Sequence, residues 1–496
     1  MSFAVEYAVF TIVMLANLGL GLYFALFKRL RDQSTGELFL GNRTLKTIPL
    51  ALSVFASMIS STSVVALTGH FYAYGFHFAW GAVAALLVLP VSLFVIIPVL
   101  YRLKVTSIFE YIKMRYGKYT ALVACAIYFF LMQSNGAVSI FAASVAVSTI
   151  FQVRFLWCSL AIGLTGTFYT ALGGLRGVVW TDSMQAVLSI LAPVTVIIKI
   201  LYDSKTKLVQ LEPLNNLDPT PYFLDISLDL TKDENVWACL VGMLGYQIYL
   251  MALEQMTVQR YAAARTLEHA KRMAVTSTIM TSLFYILRAC TALSLIYWYR
   301  NCDPLATGDI TTVDQLLPFY VSTRLLEFPG FCGIFLVGVV SAATSTVSSI
   351  INSCAAVCYV DMVSPLFTMS DHRAALLTRG IAFGIGIVMT SYSAAIGYMG
   401  SATKASFHTS TPFNTIAVTG PFCGLLLLAF LFPCANSKGA STATLMTVSF
   451  QMWHMSQKII HGSLPPRLPV TVDYCTGNFT GTSRHLNETL LTQDHT

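Results

Sequence analysis

Long apolar runs alternate with short polar segments along the whole chain. Each run is long enough to cross the roughly 30 Å hydrocarbon core of a bilayer as a helix, which takes about 20 residues. Because backbone groups in lipid must be hydrogen-bonded within the segment, and because the runs are too long for barrel strands, we predict α-helices. The twelve predicted spans cover about residues 5–27, 48–75, 79–101, 119–150, 156–175, 181–202, 236–255, 273–299, 329–359, 374–399, 405–433 and 440–460.

The basic residues of the polar segments predict which segments face the cytoplasm. Twelve spans put both termini on one side, and an outer N-terminus places most lysines and arginines in the inner segments, as the positive-inside rule requires. The outer segment 203–234, by contrast, holds seven acids against three lysines. The predicted inner basic residues are Lys28, Arg29, Arg31, Arg43, Lys46, Arg102, Lys104, Lys113, Arg115, Lys118, Arg176, Arg260, Arg265, Lys271, Arg272, Arg373 and Lys438.

The composition of the chain agrees with a polytopic membrane protein. Hydrophobic residues make up 55% of the 496 positions and charged residues only 11%, against about 25% charged residues in an average soluble domain. The net charge of +7 follows from the topology, so it does not indicate a nucleic-acid partner. The sequence also contains no HExxH motif, phosphate-binding loop or Ser-His-Asp grouping, so we do not expect an enzyme.

Two units follow from this pattern. Residues 1–461 form a transmembrane domain with a first helix at 5–27, a core at about 48–433 and an additional helix at 440–460, and residues 462–496 form an extracellular tail. The tail carries glycosylation sequons at Asn478 and Asn487. Cys302 and Cys475 fall in outer polar segments, where oxidising conditions allow a disulfide between them.

One apolar run carries an unusual number of hydroxyl groups. The stretch VSAATSTVSSIINS, from Val340 to Ser353, has seven hydroxyls in fourteen positions. The second span is similar, with Ser57, Ser60, Ser61, Thr62 and Ser63 in its middle. The ordinary explanation for each hydroxyl is a bond back to the i−4 carbonyl or close helix packing.

Helical spacing favours a second explanation for part of this run. Ala342, Ser345, Thr346 and Ser349 stand at i, i+3, i+4 and i+7, on one face of a helix. Two neutral hydroxyls and a few free carbonyls would make an oxygen cage suited to a monovalent cation. The free carbonyls require an interrupted helix, which transporters place near the bilayer midplane, and the serine-rich second span is the best candidate.

Three separated motifs resemble one family, the sodium/solute symporters. They are YTALGGLRGVVWTDSMQAVL, VQRYAAARTLEHAKR and STVSSIINS, and they are most similar to the branch of sodium-coupled monocarboxylate, multivitamin and iodide transporters. The resemblance implies an all-α polytopic fold of the LeuT type, with a 5+5 inverted repeat preceded by one extra N-terminal helix. In such a repeat, the spans that begin near 48 and 236 are counterparts.

The resemblance also implies the ligands of a sodium site. Matching FASMIS and VSAATST assigns it to backbone carbonyls of Ala56, Ile59 and Ala342 and to the hydroxyls of Ser345 and Thr346. Ser348 is placed off that face. Asp182 matches an acidic residue on the family's sodium exit route; the alternative is an acid that stabilises the N-terminus of the following helix. Arg260 and Tyr261 match an inner-loop motif and are expected to be architectural.

The predicted substrate residues depart from the iodide-type pattern. Thr62 and Ser63 replace a Val-Gln pair, and Ser134 stands where a tyrosine is common, so we do not expect iodide transport. Lys404, in TKASF, would attract a carboxylate if it faces the substrate, and would otherwise extend to the outer interface. The remaining candidates for contact with substrate are Ser60 and Phe407.

Sodium-coupled symport is the function that these features predict. The chain would import a small organic anion, a monocarboxylate or vitamin-like carboxylate, with sodium across the plasma membrane by alternating access. The predicted partners are therefore sodium, this solute and the lipid bilayer. The alternatives are a sodium-binding channel or uncoupled sensor, and a truncated isoform that does not transport, because relatives usually continue beyond the segment that ends here at Thr496.

Overall fold

The described part of the chain is helical. A computed structural model describes residues 2–26, 35–206, 218, 220–229, 232, 234–403, 407–461, 465, 467–473 and 475. Within these ranges the helices are joined by turns, and the only strand-like feature is an isolated bridge between Leu45 and Ala264. The all-α prediction is therefore confirmed for these residues.

The helices follow the predicted spans closely. Those in the first half are α1 (Ser2–Leu26), α2 (Thr35–Leu40), α3 (Thr47–Met58), α4 (Ser61–Tyr74), α5 (Gly81–Val91), α6 (Ile97–Leu103), α7 (Ile108–Tyr116), α8 (Lys118–Phe151) and α9 (Phe155–Lys205). Those in the second half are α10 (Thr220–Phe223), α11 (Val236–Ile248), α12 (Gln255–Ala262), α13 (Leu267–Tyr299), α14 (Leu316–Arg324), α15 (Phe331–Val357), α16 (Asp371–Thr403), α17 (Phe407–Leu431) and α18 (Ser437–His461).

Eight helices of the described chain are long and apolar enough to cross a membrane, and the bent pair α3 and α4 makes nine. α9 combines the predicted spans 156–175 and 181–202, because only a kink at Gly174 (φ 59°, ψ −165°) separates them. Its 51 residues would rise about 77 Å as a straight helix, more than twice the thickness of a hydrocarbon core. The predicted spans 405–433 and 440–460 are helical as α17 and α18 but are not among the eight.

α15 lies at the centre of the molecule. It packs against α9, α8, α3 and α1, and every residue from Phe335 to Val357 is buried. Gly338 allows a close approach of α15 to α9, because a Cβ atom there would lie 2.5 Å from the Leu188 carbonyl oxygen of α9. The oxygen-rich stretch is therefore surrounded by protein and does not face lipid.

The structure groups the polar segments that the sequence assigned to the inner side. Arg43 donates to the Lys104 carbonyl at 3.2 Å, and Arg265 donates to the Thr44 carbonyl at 2.9 Å. These contacts join three of the predicted inner loops at one end of the helices.

The predicted outer segments also meet one another. Cys302 and Cys475 form a disulfide, which confirms the pairing that the sequence allowed. Near the start of α1, the buried Glu6 carboxylate accepts the Gly330 N–H at 2.6 Å, at the beginning of α15. The first predicted span is thereby attached to the N-terminal end of the central helix.

Candidate ion and substrate site

The second predicted span is broken, as the oxygen-cage hypothesis requires. α3 ends at Met58 and α4 begins at Ser61, with a 56° bend between them. Ile59 and Ser60 have extended backbones, and the last bond of α3 runs from the Ile59 N–H to the Phe55 carbonyl at 3.2 Å. Because a helix end leaves its last four carbonyls without intrahelical donors, the carbonyls of residues 56–59 can bind a ligand.

Thr346 lies directly against this break. Its Oγ1 hydroxyl is 3.3 Å from the Ile59 carbonyl oxygen and 3.0 Å from the Ala342 carbonyl oxygen. Three of the five residues predicted for the sodium site are thus together, and all three are buried. Ala56 is buried one turn earlier on α3. The result is a hydroxyl in contact with two backbone carbonyls, and oxygen ligands of this kind bind hard cations.

Ser345 has a different partner. Its hydroxyl donates to Asp182 Oδ1 at 2.9 Å, and the Ser348 hydroxyl approaches the same oxygen at 3.3 Å. We expected Ser345 and Thr346 to point the same way and Ser348 to point elsewhere. Consecutive helical residues differ by about 100° in direction, and here that difference sends Ser345 toward α9 and Thr346 toward α3.

Asp182 is the centre of a buried polar network. Arg260 Nη2 donates to Asp182 Oδ2 at 2.9 Å, with relative exposures of only 1% and 0% for the two side chains. Ser53 Oγ donates to the same oxygen at 2.6 Å, and Arg260 Nε donates to Ser53 Oγ at 2.7 Å. Because Asp182 lies eight residues beyond the Gly174 kink, it is not in the first turn of a helix, where an acid would stabilise the helix end.

This network joins four parts of the chain. Ser349 of α15 accepts from Arg260 and shares a 2.7 Å hydrogen bond with Ser57 of α3. Arg260 also donates to the Met256 carbonyl within α12 at 2.8 Å. Helices α3, α9, α12 and α15 are therefore connected by charged and hydroxyl groups directly below the break.

The predicted substrate residues are only partly described. Ser60 caps α4 by accepting the Ser63 N–H at 3.3 Å, and the Ser63 hydroxyl donates to the Ser60 carbonyl at 2.8 Å. Ser134 is buried on α8, and its hydroxyl has no hydrogen-bond partner among the described residues. Lys404 lies outside the described residues, as do the sequons at Asn478 and Asn487, and the side chain of Phe407 is not described either.

Sequence reasoning left the surroundings of Arg288 unassigned. This arginine of α13 donates from Nη1 to the Ser63 carbonyl at 3.3 Å. The charge within an apolar run was the signal available in the sequence. Nothing in the sequence around Arg288 indicated that its guanidinium would lie beside the α3–α4 break.

Comparison with known proteins gives consistent matches over nearly the whole chain. Human sodium-coupled monocarboxylate transporter 2 is 29% identical over 480 residues, which cover 96% of this chain and 76% of that protein. A putative sodium-dependent multivitamin transporter of Drosophila melanogaster is 28% identical over 458 residues, covering 90% and 74%. The human sodium/iodide cotransporter is 27% identical over 453 residues, covering 90% and 69%.

A solved structure shares the fold. A Na+-coupled sialic acid symporter, in a substrate-bound outward-open state, superposes with a TM-score of 0.76 at 19% identity, covering 94% of this chain and 99% of that one. The family match extends over residues 38–447, which include the α3–α4 break, the Asp182–Arg260 pair and the hydroxyls of α15. The chain therefore belongs to the sodium:solute symporter family.

Proposed function

We propose that this chain imports a small organic anion together with sodium across the plasma membrane. Membership of the family makes the chain a sodium-coupled transporter and not an enzyme, with sodium as the co-transported ion. The anionic substrate is the further step, and it is supported by the similarity to monocarboxylate and multivitamin transporters. Monocarboxylates and vitamin-like carboxylates are the substrate class that we propose.

The observation that carries the proposal is Thr346 at the α3–α4 break. Sodium would bind the carbonyls of Ala56, Ile59 and Ala342 with the Thr346 hydroxyl, and Ser345 would join them by turning away from Asp182. Asp182 would then accept sodium on its way to the cytoplasm, because a Ser345 hydroxyl connects it to the site. Ser60, Ser63, Ser134, Lys404 and Phe407 remain the proposed substrate contacts.

We further propose the LeuT-type inverted repeat, with twelve spans and both termini outside. A second broken helix supports the repeat: α11 continues through a π-helical segment, Tyr249–Leu253, and the chain is extended at Glu254 (φ −66°, ψ 132°) before α12. This break falls in the span that the repeat pairs with α3 and α4. Residues 1–461 would form the transporter, and 462–496 an outer tail glycosylated at Asn478 and Asn487.

Uptake measurements test the proposal directly. Cells expressing the chain are given labelled butyrate, lactate, nicotinate or biotin in sodium medium or in choline medium. We expect accumulation above the external concentration in sodium only, because the ion gradient drives entry. Equal uptake in the two media would overturn symport. Sodium-dependent currents without accumulation would favour the channel or sensor alternative.

A further inference from the structure

Arg288 is a buried cation without a carboxylate partner in the described structure. It lies in α13, and only 5% of the residue is exposed. No ion pair of the described residues includes it, and the titratable groups that interact with it are Tyr285 and Tyr246. A charge inside a membrane span is costly, and such residues usually pair with an opposite charge or mark a substrate pathway.

The neutral contacts of Arg288 leave part of its hydrogen-bonding capacity unused. Nη1 donates to the Ser63 carbonyl at 3.3 Å, and the guanidinium lies 4.2 Å from the ring centre of Tyr285 and 5.0 Å from that of Phe284. The buried Nε–H has no hydrogen-bond acceptor among the described residues. An unused donor on a buried cation carries a desolvation cost that an anion would remove.

The polar group next to Arg288 is also incomplete. Gln247 of α11 donates to the Tyr285 hydroxyl at 3.2 Å, while its Oε1 atom is buried without a described partner. Gln247 itself is fully buried. Among the described residues, Arg288 Nε–H is thus an unused donor and Gln247 Oε1 an unused acceptor, and both side chains contact Tyr285.

The backbone at this place adds to the positive potential. Ser63 is the third residue of α4, a helix of 14 residues that begins directly after the break. The N-terminus of a helix carries about half a positive charge and has free N–H groups. Arg288 and this helix end therefore concentrate positive potential on the same side of the α3–α4 break.

We propose that Arg288 binds the carboxylate of the transported anion at the N-terminal end of α4. This inference rests on the proposed function and identifies the residue that selects the substrate class. The planar guanidinium offers paired N–H donors that match the two oxygens of a carboxylate, whereas a spherical halide uses only one direction. The free Nε–H lies on the edge of the guanidinium that can form such a pair.

This position also gives a physical reason for coupling. In the proposed site, sodium would bind the Ile59 carbonyl on one side of the break, and Arg288 donates to the Ser63 carbonyl four residues later. Sodium binding would order the intervening turn and so fix Ser63 and Arg288. The anion would then bind between two positive centres and would neutralise both, so each ligand strengthens the binding of the other.

The test compares Arg288→Gln, Arg288→Lys and the control Arg272→Gln. Arg272 lies on the same helix in an exposed pair with Glu268, with relative side-chain exposures of 67% and 64%. Each variant is assayed for sodium-dependent butyrate uptake, and for inhibition by unlabelled butyrate, by its neutral amide butyramide and by iodide. Thermal stabilisation of the purified protein by sodium reports folding and the ion site independently.

We expect Arg288→Gln to raise the half-saturating butyrate concentration by about tenfold to hundredfold, the effect of losing charge-assisted hydrogen bonds. Arg288→Lys should weaken butyrate binding less, because lysine keeps the positive charge but lacks the paired N–H donors of the guanidinium. Arg272→Gln should match the wild type. Butyrate, but not butyramide, should inhibit the wild type, and sodium should stabilise all the folded variants.

Several results would overturn this assignment. The first is an unchanged butyrate affinity in Arg288→Gln. If that variant does not fold, an unchanged butyrate affinity in Arg288→Lys is decisive, because it would contradict the paired contact between the guanidinium and the carboxylate. Wild-type inhibition by iodide alone, lost in the variants, would assign the residue to a halide. A wild-type chain that accumulates none of the carboxylates would overturn the proposed function itself, together with this inference.

Discussion

At the scale of single residues, the Asp182–Arg260 ion pair is buried among four helices. Both groups are fully buried, and four hydroxyl groups surround the carboxylate. Removing one member of a buried pair leaves the other charge without a partner, which costs about 3–5 kcal/mol. Replacing both members removes that unpaired charge.

We therefore predict that Asp182→Asn strongly destabilises the protein and that adding Arg260→Gln restores part of the loss. Tryptophan fluorescence during thermal unfolding in detergent would measure both. The control is Glu268→Gln, which disrupts an exposed pair worth at most about 1 kcal/mol. Equal effects of Asp182→Asn and Glu268→Gln would contradict the importance of burial.

Thr346 gives a prediction about sodium affinity. Thr346→Val keeps the shape of the side chain but removes the hydroxyl that contacts the Ile59 and Ala342 carbonyls. The half-saturating sodium concentration should rise about tenfold to hundredfold, as for a lost contact to a charged group. Ser341→Ala is the matched control on the same helix, because the Ser341 hydroxyl is buried without a described partner. A similar sodium dependence in both variants would contradict the proposed sodium site at Thr346.

The individual hydroxyls of α15 show where sequence reasoning reaches its limit. The break in the second span and the position of Thr346 could be predicted. Segments in lipid must be helical, and the helical period places residues i and i+4 on one face, so the hydroxyls of α15 could be assigned to a face. The different partners of Ser345 and Thr346 could not be predicted. They depend on which neighbouring helix faces each side of α15, and that choice is made by tertiary packing.

At the scale of elements, the contact between α15 and α9 holds the ion site to Asp182. Gly338 allows the two backbones to approach, since a Cβ atom would lie 2.5 Å from the Leu188 carbonyl oxygen and 2.6 Å from Ala192 Cβ. Neither neighbour is the end of a flexible side chain. The helices would have to separate to accept a methyl group.

We predict that Gly338→Ala lowers the free energy of unfolding by about 1–3 kcal/mol, as overpacking typically does. Gly384→Ala on α16 is the control, because a Cβ atom there meets nothing within 4 Å. Alanine should slightly stabilise that helix by its higher propensity. Thermal melting of both variants measures the difference, and a Gly338→Ala protein as stable as Gly384→Ala would exclude a close helix contact.

The observed ends of the helices can be compared with the ends predicted from the apolar pattern. The ends of α1, α8 and α13 were predicted within a few residues, except that α13 begins at Leu267, six residues before the predicted start at 273. The extension contains charged residues that the apolar pattern excluded. α9 covers two predicted spans as two helical segments, which meet at a kink where Gly174 has non-helical backbone angles (φ 59°, ψ −165°).

At the scale of the whole molecule, contacts at the two ends of the helices are consistent with the predicted sidedness. The Cys302–Cys475 disulfide joins two predicted outer segments. At the opposite end, Arg115 donates to the Pro433 carbonyl at 2.6 Å, next to the exposed Cys434. These cysteines therefore lie in segments that the positive-inside rule assigns to opposite faces of the membrane.

Cysteine labelling in intact cells tests this orientation. After mild reduction, a membrane-impermeant maleimide should label Cys302 and Cys475 from outside, and without reduction it should not, because the disulfide protects both thiols. Cys434 should react only after permeabilisation, since it lies beside the inner end of α7. A Cys434→Ser variant identifies that signal, and a Cys302→Ser, Cys475→Ser variant identifies the other. Labelling of Cys434 in intact cells would reverse the proposed orientation, and with it the direction of sodium-driven import.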